Sequence, residues 1–362
     1  MANKSKNKKN KKLLPILLLV LFLVLIGAFC VVNKSGVLAE KVEEIKEKVP
    51  ILEEIIEEKE EKKLKIINLD SKTRPVAVMI NNIKVARPYQ SGLQDAFIIY
   101  EIIVEGGYTR YMALFKDQNT ERIGSVRSSR HYFLDYALEN DAVYVHWGWS
   151  PEAKSDISRY DVDNINGLTY EGKYFYRDNS LKVGYEHRGF TKMSSINKAI
   201  KKLKYSQNTK KENLLNYSIE EIDFSSMEGA VKANSIKIPY SKSTTTSYTY
   251  DPETKTYLRF VNGTKHTDYV TKKQYTAKNI ITYQVSNHTL RGDVKGRQDI
   301  DNVGTGTGYF ISSGYAVPIK WSKESRTAQT VYTYMDGTEI TVNDGNTFIQ
   351  IQPKSQKLTI SE

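Results

Sequence analysis

The stretch DAFIIYEIIVEGGYTRYMALFK, residues 95–116, decides the fold. Two runs rich in Ile, Val, Tyr and Phe flank Gly106-Gly107. Such runs read as strands, and a glycine pair between them reads as the point where the chain turns back. Working outward, PVAVMI (75–80) and DAVYVHW (141–147) read as two further strands. RSSRHYFLDYALE (127–139) reads as an amphipathic helix, with Tyr132, Phe133, Tyr136 and Ala137 on one side. TKMSSINKAIKKLK (191–204) reads as a second helix, opened by Thr191 and closed by lysines that suit the negative end of its dipole. Residues 74–206 therefore read as a mixed α/β domain.

After a polar linker (207–234) the pattern changes. From 235 to 353 short strands recur, among them SIKIPY, TYLRFVNG, KNIITYQV, TGYFISSG and TFIQIQP. Asn262-Gly263, Asp336-Gly337 and Asp344-Gly345 separate some of them and are strong hairpin signals. This reads as a mostly antiparallel β-rich domain, a small barrel or sandwich, followed by a tail (354–362). The fold class expected is α+β.

The chain has 362 residues and a formal net charge of +11. Charge placement argues against nucleic acid as a partner. Six lysines sit in residues 1–12, Lys34 adds a seventh, and residues 40–63 hold ten Glu against six Lys, leaving +8 on residues 64–362. Residues 13–32, LLPILLLVLFLVLIGAFCVV, carry no charge. Twenty residues in a helix reach about 30 Å, the thickness of a bilayer's hydrocarbon core. The basic tail before this segment keeps the N-terminus in the cytoplasm and sends the rest across. The expectation is a single-pass signal anchor at the cell membrane, with the domains extracellular. Cleavage after Ala39 and lipidation at Cys30 stay open as alternatives. Cys30 is the one cysteine, so the outer domains carry no disulfide.

Residues 33–73 read as a charged helical stalk. Leu38, Val42, Ile45, Val49, Leu52 and Ile56 repeat at spacings of 4 and 3, the seam of a short coiled coil interrupted at Pro50. Either a solvated spacer or a weak homo-oligomer contact fits it.

RPVAVMINN (74–82), the run 86–115, IGSVRSSRHYFLDYA (123–137) and DAVYVHWGWSP (141–151) resemble the N-terminal domain of the YerB-like bacterial envelope proteins. Residues 248–285, 303–321 and 336–353 are similar to that family's second domain. The resemblance covers about 75–352. It implies two domains of unknown function in an envelope setting, often on lipoproteins, and brings no catalytic residues with it. The composition, rich in Lys, Ile, Asn and Tyr, fits an AT-rich Gram-positive bacterium.

The candidate site begins with arginine. The chain has 13 Arg against 40 Lys, yet nine Arg fall between 74 and 188. A lysine-biased sequence that places Arg here calls on its planar, bidentate fork. Arg110, Arg127 and Arg130 lie near Glu101, Glu105 and Asp135. Glu101 and Glu105 are an even number of residues apart, so on one strand they share a face. The cluster reads either as a structural ion-pair network or as a pocket for a phosphate, carboxylate or glycan. Paired carboxylates also serve glycoside hydrolysis, which makes Glu101, Glu105 and His146 the catalytic candidates.

His146-Trp147-Gly148-Trp149-Ser150 ends a predicted strand, where α/β folds place ligands. Trp147 and Trp149 either stack a sugar ring or serve the core. Ser128, Ser129 and Ser150 lack the context of a hydrolase nucleophile. Arg177 and His187 are loop residues that would join the same cleft. The five histidines are scattered and there is no cysteine pair, so no metal site is expected, and no cofactor. Asp299 and Asp301 lack the ligand set of a calcium loop, and Gly304–Gly308 lacks the lysine and helix of a phosphate loop. Tyr is abundant, at 25 residues, and exposed rows of it would suit glycan or protein binding. These observations point to an envelope protein that binds cell-wall polymer or an envelope protein partner. The alternative is a wall-glycan hydrolase, and enzyme or not stays open.

Overall fold

The computed structural model describes residues 63–362. The expected basic tail, apolar segment and heptad seam lie outside the described residues. Among the described residues no helix is long and apolar enough to cross a membrane.

The N-terminal half contributes strands β1 (Val76–Asn81), β2 (Ile98–Ile103), β3 (Thr109–Phe115), β4 (Ile123–Gly124), β5 (Val143–His146), β6 (Asn164–Asn166), β7 (Tyr176–Arg177) and β8 (Gly189–Thr191). Its helices are α1 (His131–Glu139), α2 (Pro151–Arg159), α3 (Gly167–Tyr170) and α4 (Met193–Leu203). The hairpin read from residues 95–116 is present as β2 and β3, paired antiparallel from Ile98↔Leu114 to Ile103↔Thr109. Gly106 and Gly107 make the turn at φ +68° and +71°, a region that costs an L side chain energy. β1 lies antiparallel to β3, β5 parallel to β1, and β6 parallel to β5.

The same sheet continues from β2 into the C-terminal half. Strand Thr347–Pro353 lies parallel to β2 on one side and parallel to Asn279–Val285 on the other. Gly304–Ser312, Tyr315–Lys323 and Val231–Lys232 follow, and with Val331–Tyr334 they complete an eleven-stranded sheet. The two sequence segments therefore share one sheet.

Both faces of the sheet centre are covered, which is why every residue of β1, β2 and β3 is buried and the runs are near-continuously apolar. On one face sits α1. The Tyr100 ring meets Tyr136 at 4.8 Å, and the Tyr100 hydroxyl donates to Glu139 Oε1 at 2.6 Å. On the other face lies a smaller antiparallel sheet with Ser235–Pro239, Thr245–Asp251 and Thr256–Val261 at its heart.

Glu101 sits where the two sheets meet, with Arg259 opposite. Both side chains are fully buried, and Arg259 Nη2 lies 2.6 Å from Glu101 Oε2. Thr109 donates its hydroxyl to Glu101 Oε1 at 2.7 Å, and Thr246 Oγ1 lies 3.0 Å from each carboxylate oxygen. Arg259 Nη1 donates to His266 Nδ1 at 2.6 Å, while the Tyr240 hydroxyl bonds the Glu101 carbonyl at 3.1 Å. Burial and the Arg259 charge hold His266 well below the usual histidine range, so the ring is the neutral acceptor this geometry needs.

Several expectations change. β2 ends at Ile103 and Glu105 opens a 3₁₀ turn, so the even spacing does not carry over. Glu101 and Glu105 end on opposite sides of the sheet. Within the expected stalk, residues 64–73 are non-helical and packed: Asp344 accepts from the Lys65 and Ile66 amides at 2.9 and 3.0 Å. The expected linker buries Leu215 and Phe224 and pairs Asn216–Ser218 with Thr341–Asn343. In the expected tail, Thr359–Ser361 pairs with Ser235–Lys237. Thr191 does not cap α4; its hydroxyl donates to the Tyr174 carbonyl at 2.8 Å. The tyrosines form no exposed row throughout, because Tyr240, Tyr248, Tyr257, Tyr275, Tyr283 and Tyr332 are core residues.

Replacing Glu101 by Gln leaves the Arg259 charge buried without its counter-charge. Breaking a buried pair in this way costs about 3–5 kcal/mol. The expected result is a clearly lowered urea midpoint for E101Q, with no comparable shift when Glu362 of the exposed Lys232–Glu362 contact is replaced by Gln.

Candidate functional site

The expected helix at 127–139 begins only at His131, because residues 126–130 are held extended across the carboxyl ends of β1 and β5. The Arg127 amide donates to the Met79 carbonyl at 2.9 Å, the Trp147 amide to the Arg127 carbonyl at 3.0 Å, and the Ser129 amide to the Gly148 carbonyl at 2.9 Å. These bonds consume the backbone groups that a helix would need. They also place Arg127 and Ser128 beside Trp147 and Trp149.

Arg110 and Arg130 fix this strap. Arg110 Nη1 donates to the Ser128 carbonyl at 2.6 Å and Arg130 Nη1 to the Ser129 carbonyl at 2.7 Å. Glu105 answers both charges, through a short contact with Arg130 Nε and a 3.7 Å approach to Arg110. Burial works against the Glu105 carboxylate, yet these arginines hold it below the usual range. Burial and the neighbouring Arg130 push the Arg110 guanidinium down to about 9, with Arg127 adding to the effect and Glu105 opposing it. The cluster read from sequence is thus two residues of scaffold, Arg110 and Arg130, and one left over.

The one left over is Arg127. It lines a cavity of about 330 Å³ with Val126, Ser128, Trp147, Gly148, Trp149, Leu168, Arg177 and Glu186. No carboxylate pairs with Arg127 among the described residues. Its one protein acceptor is the Glu186 carbonyl, 3.3 Å from Nη1. Burial lowers its pKa, partly offset by the Glu186 carboxylate. The cavity opens at the carboxyl ends of the parallel strands β1, β5 and β6, where such sheets place ligands.

Trp147 is 7% exposed, and glycines give it room. A Cβ on Gly167 would come within 2.4 Å of the indole and one on Gly189 within 2.7 Å. The Arg177 guanidinium lies 4.3 Å from the Trp147 ring and 3.7 Å from Tyr185. Arg177 is fully engaged: Nε and Nη2 reach Glu171 at 2.7 and 3.3 Å, and Nη1 donates to the Tyr185 carbonyl at 2.7 Å. The indole is therefore a covered wall rather than an open stacking platform. Its Nε1 has no protein acceptor. Trp149 is half-buried and Leu168 is 64% exposed, and these supply the open apolar surface.

His187 flanks the cavity. Asn81 Nδ2 donates to its Nδ1 at 3.0 Å, so Nε2 carries the proton toward Glu186 Oε1 at 3.3 Å. Burial and the Arg127 charge lower its pKa. His146 is fully buried. Its ring nitrogens lie 2.8 Å from the Gly148 carbonyl and 3.0 Å from Asn164 Oδ1, and burial lowers its pKa.

Of the sequence candidates, Arg127, Trp147, Trp149 and Arg177 share the cavity, with His187 one residue from Glu186 in its wall. Glu101 stays apart in the core, Glu105 stays with the strap, and Asp135 pairs with Arg326 at 2.8 Å. Ser150 caps α2, accepting from the Ala153 amide at 3.2 Å. Leu168 and Glu186 carried no signal in the sequence. Among the described residues no group of three or more His, Cys, Asp or Glu could hold a metal ion.

Residues 65–206 match the family described as "Protein of unknown function (DUF3048) N-terminal domain", and residues 236–349 match its "C-terminal domain" counterpart. The chain belongs to the DUF3048 family. It is 32% identical over 292 residues to the Bacillus subtilis (strain 168) protein named "Putative lipoprotein YerB", across 80% of this chain and 84% of that protein. The crystal structure of YerB from Bacillus subtilis matches with a TM-score of 0.69 at 32% identity, covering 80% of this chain and 94% of that one. The YerB-like resemblance is thereby established. The DUF3048 N-terminal match contains every residue of the cavity.

Gly167→Ala tests the clamp on Trp147. The added methyl must displace the indole, and overpacking of this kind costs about 1–3 kcal/mol. A lowered melting midpoint with a shifted tryptophan emission is expected; an unchanged emission would mean that Trp147 is not held there.

Proposed function

We propose that this DUF3048 protein is anchored in the cell membrane through residues 13–32 and binds cell-wall polymer outside it through the Arg127–Trp149 cavity. The observation that carries the binding reading is the separation of the two carboxylates. Glu101 is locked to Arg259 inside the core and Glu105 to Arg130 in the strap, so neither of the carboxylates read from the sequence flanks the cavity for acid–base work on a glycosidic bond. His146 is buried and faces acceptors on both ring nitrogens, which leaves it unfit as the base that the hydrolase reading assigned to it.

Three further observations support an envelope setting. The uncharged run 13–32 follows six lysines, and residues 64–362 carry +8, which favours anionic polymers through a salt-sensitive attraction. The Bacillus subtilis relative is named as a lipoprotein. Here Phe29 precedes the only cysteine, Cys30, where a lipidation signal wants a small residue, so a helical anchor is the better reading for this chain.

Full-length protein in detergent should be retained on purified wall sacculi at physiological salt and released as salt rises, with Trp149→Ala retained less. Absence of retention would contradict wall binding. Release of soluble glycan fragments by the wild type would contradict a purely binding role.

A further inference from the structure

We infer that the cavity recognises the oxyanion, carboxylate or phosphate, of a single acidic sugar or polyol unit, with Arg127 as the group that reads the charge. This rests on the binding reading above and goes on to name the chemistry of the ligand.

Five of the nine arginines between residues 74 and 188 pair with carboxylates, while Arg87 and Arg188 bond neutral oxygens outside the cavity. Asp141 and Asp163 answer Arg74, Glu105 answers Arg110 and Arg130, Asp178 answers Arg122, and Glu171 answers Arg177. Arg127 is half-buried in a cavity wall, and its side chain bonds one carbonyl among the described residues. A partly desolvated guanidinium that no carboxylate contacts is costly, and a bound oxyanion reduces that cost with two parallel N–H···O bonds. Sequence alone offered Arg177 as an equal partner. The structure separates the two: every nitrogen of Arg177 is engaged, and its plane is held between Trp147 and Tyr185. Arg177 is a positioning residue that fixes the wall.

The other lining groups fit the same ligand. Trp149 and Leu168 offer apolar surface to the C–H face of a sugar or polyol. The Glu186 carboxylate lines the same cavity, 55% exposed and facing His187, and its charge offsets that of Arg127 in part without pairing with it. At about 330 Å³ the cavity lies at the small end of ligand pockets and takes one unit rather than a length of polymer.

The test is calorimetric titration of the full-length protein in detergent with four probes: glucuronate, glucose 1-phosphate, glucose and inorganic phosphate. The two charged sugars should bind at least about ten-fold more tightly than glucose and than inorganic phosphate, the size of one charge-assisted bidentate contact. Arg127→Gln should abolish that preference. Arg127→Lys, which keeps the charge and loses the fork, should retain it at reduced affinity. Arg159→Gln, outside the cavity, should change nothing. Where Arg127→Gln fails to fold by circular dichroism, the Lys variant decides alone. Glucose matching the charged sugars, inorganic phosphate matching glucose 1-phosphate, no binding of either charged probe, or an undiminished preference in Arg127→Gln would each overturn the inference. Retention on sacculi without any probe preference would remove this inference and leave wall binding intact. Probe preference without retention would do the reverse.

Discussion

The ion pair between Glu101 and Arg259 is the contact on which the rest of the molecule depends. It joins residues 158 positions apart, from the two halves of the chain, at a place that water does not reach. A buried pair of this kind is tolerable only when its remaining lone pairs and protons are satisfied. Here Thr109, Thr246, Tyr248 and a neutral His266 do so. The pair therefore fixes the small sheet in one place on the large one. It acts together with strand Thr347–Pro353, which lies beside β2 and makes the central sheet a joint product of both halves.

That rigid centre positions the cavity. β1 and β5 end on the same edge of the sheet, and their backbone groups hold residues 126–130 in extended form across their tips. Arg110, which projects from β3, and Arg130 grip the carbonyls of this strap, and Glu105 balances them. The cost of three nearby guanidiniums is met for two of them by the protein. The third, Arg127, lines the cavity with no carboxylate paired to it among the described residues.

The sequence was most legible where local chemistry decides. The composition of 95–116 and its Gly-Gly turn gave the hairpin directly. The enrichment in arginine and the Trp-Gly-Trp run led to Arg127, Trp147, Trp149 and Arg177, which do share one cavity. Roles were less legible than membership, because a role depends on partners far away in sequence. Arg177 looks like Arg127 until Glu171 and Tyr185 are placed around it. Parity misled once. The glutamates 101 and 105 are evenly spaced but the strand stops between them. In Thr256–Val261 the buried residues are Tyr257, Arg259 and Val261, while Leu258 and Phe260 are half-buried, the inverse of what hydrophobicity suggests. Arg259 is buried there against Glu101, a partner 158 residues away that no local pattern announces. Residues 207–234 and 354–362 read as linker and tail because they are polar, yet their backbones pair with strands supplied by distant segments.

Both halves of the folded chain form one cooperative structure locked at the centre of the shared sheet. Native-state amide hydrogen exchange across a urea series tests it directly. The amides of Ile99–Ile102 and of Phe348–Ile351 should exchange through a single opening with one common free energy. Loss of protection in the strands of 235–353 at low urea, while those of 76–146 remain protected, would contradict it.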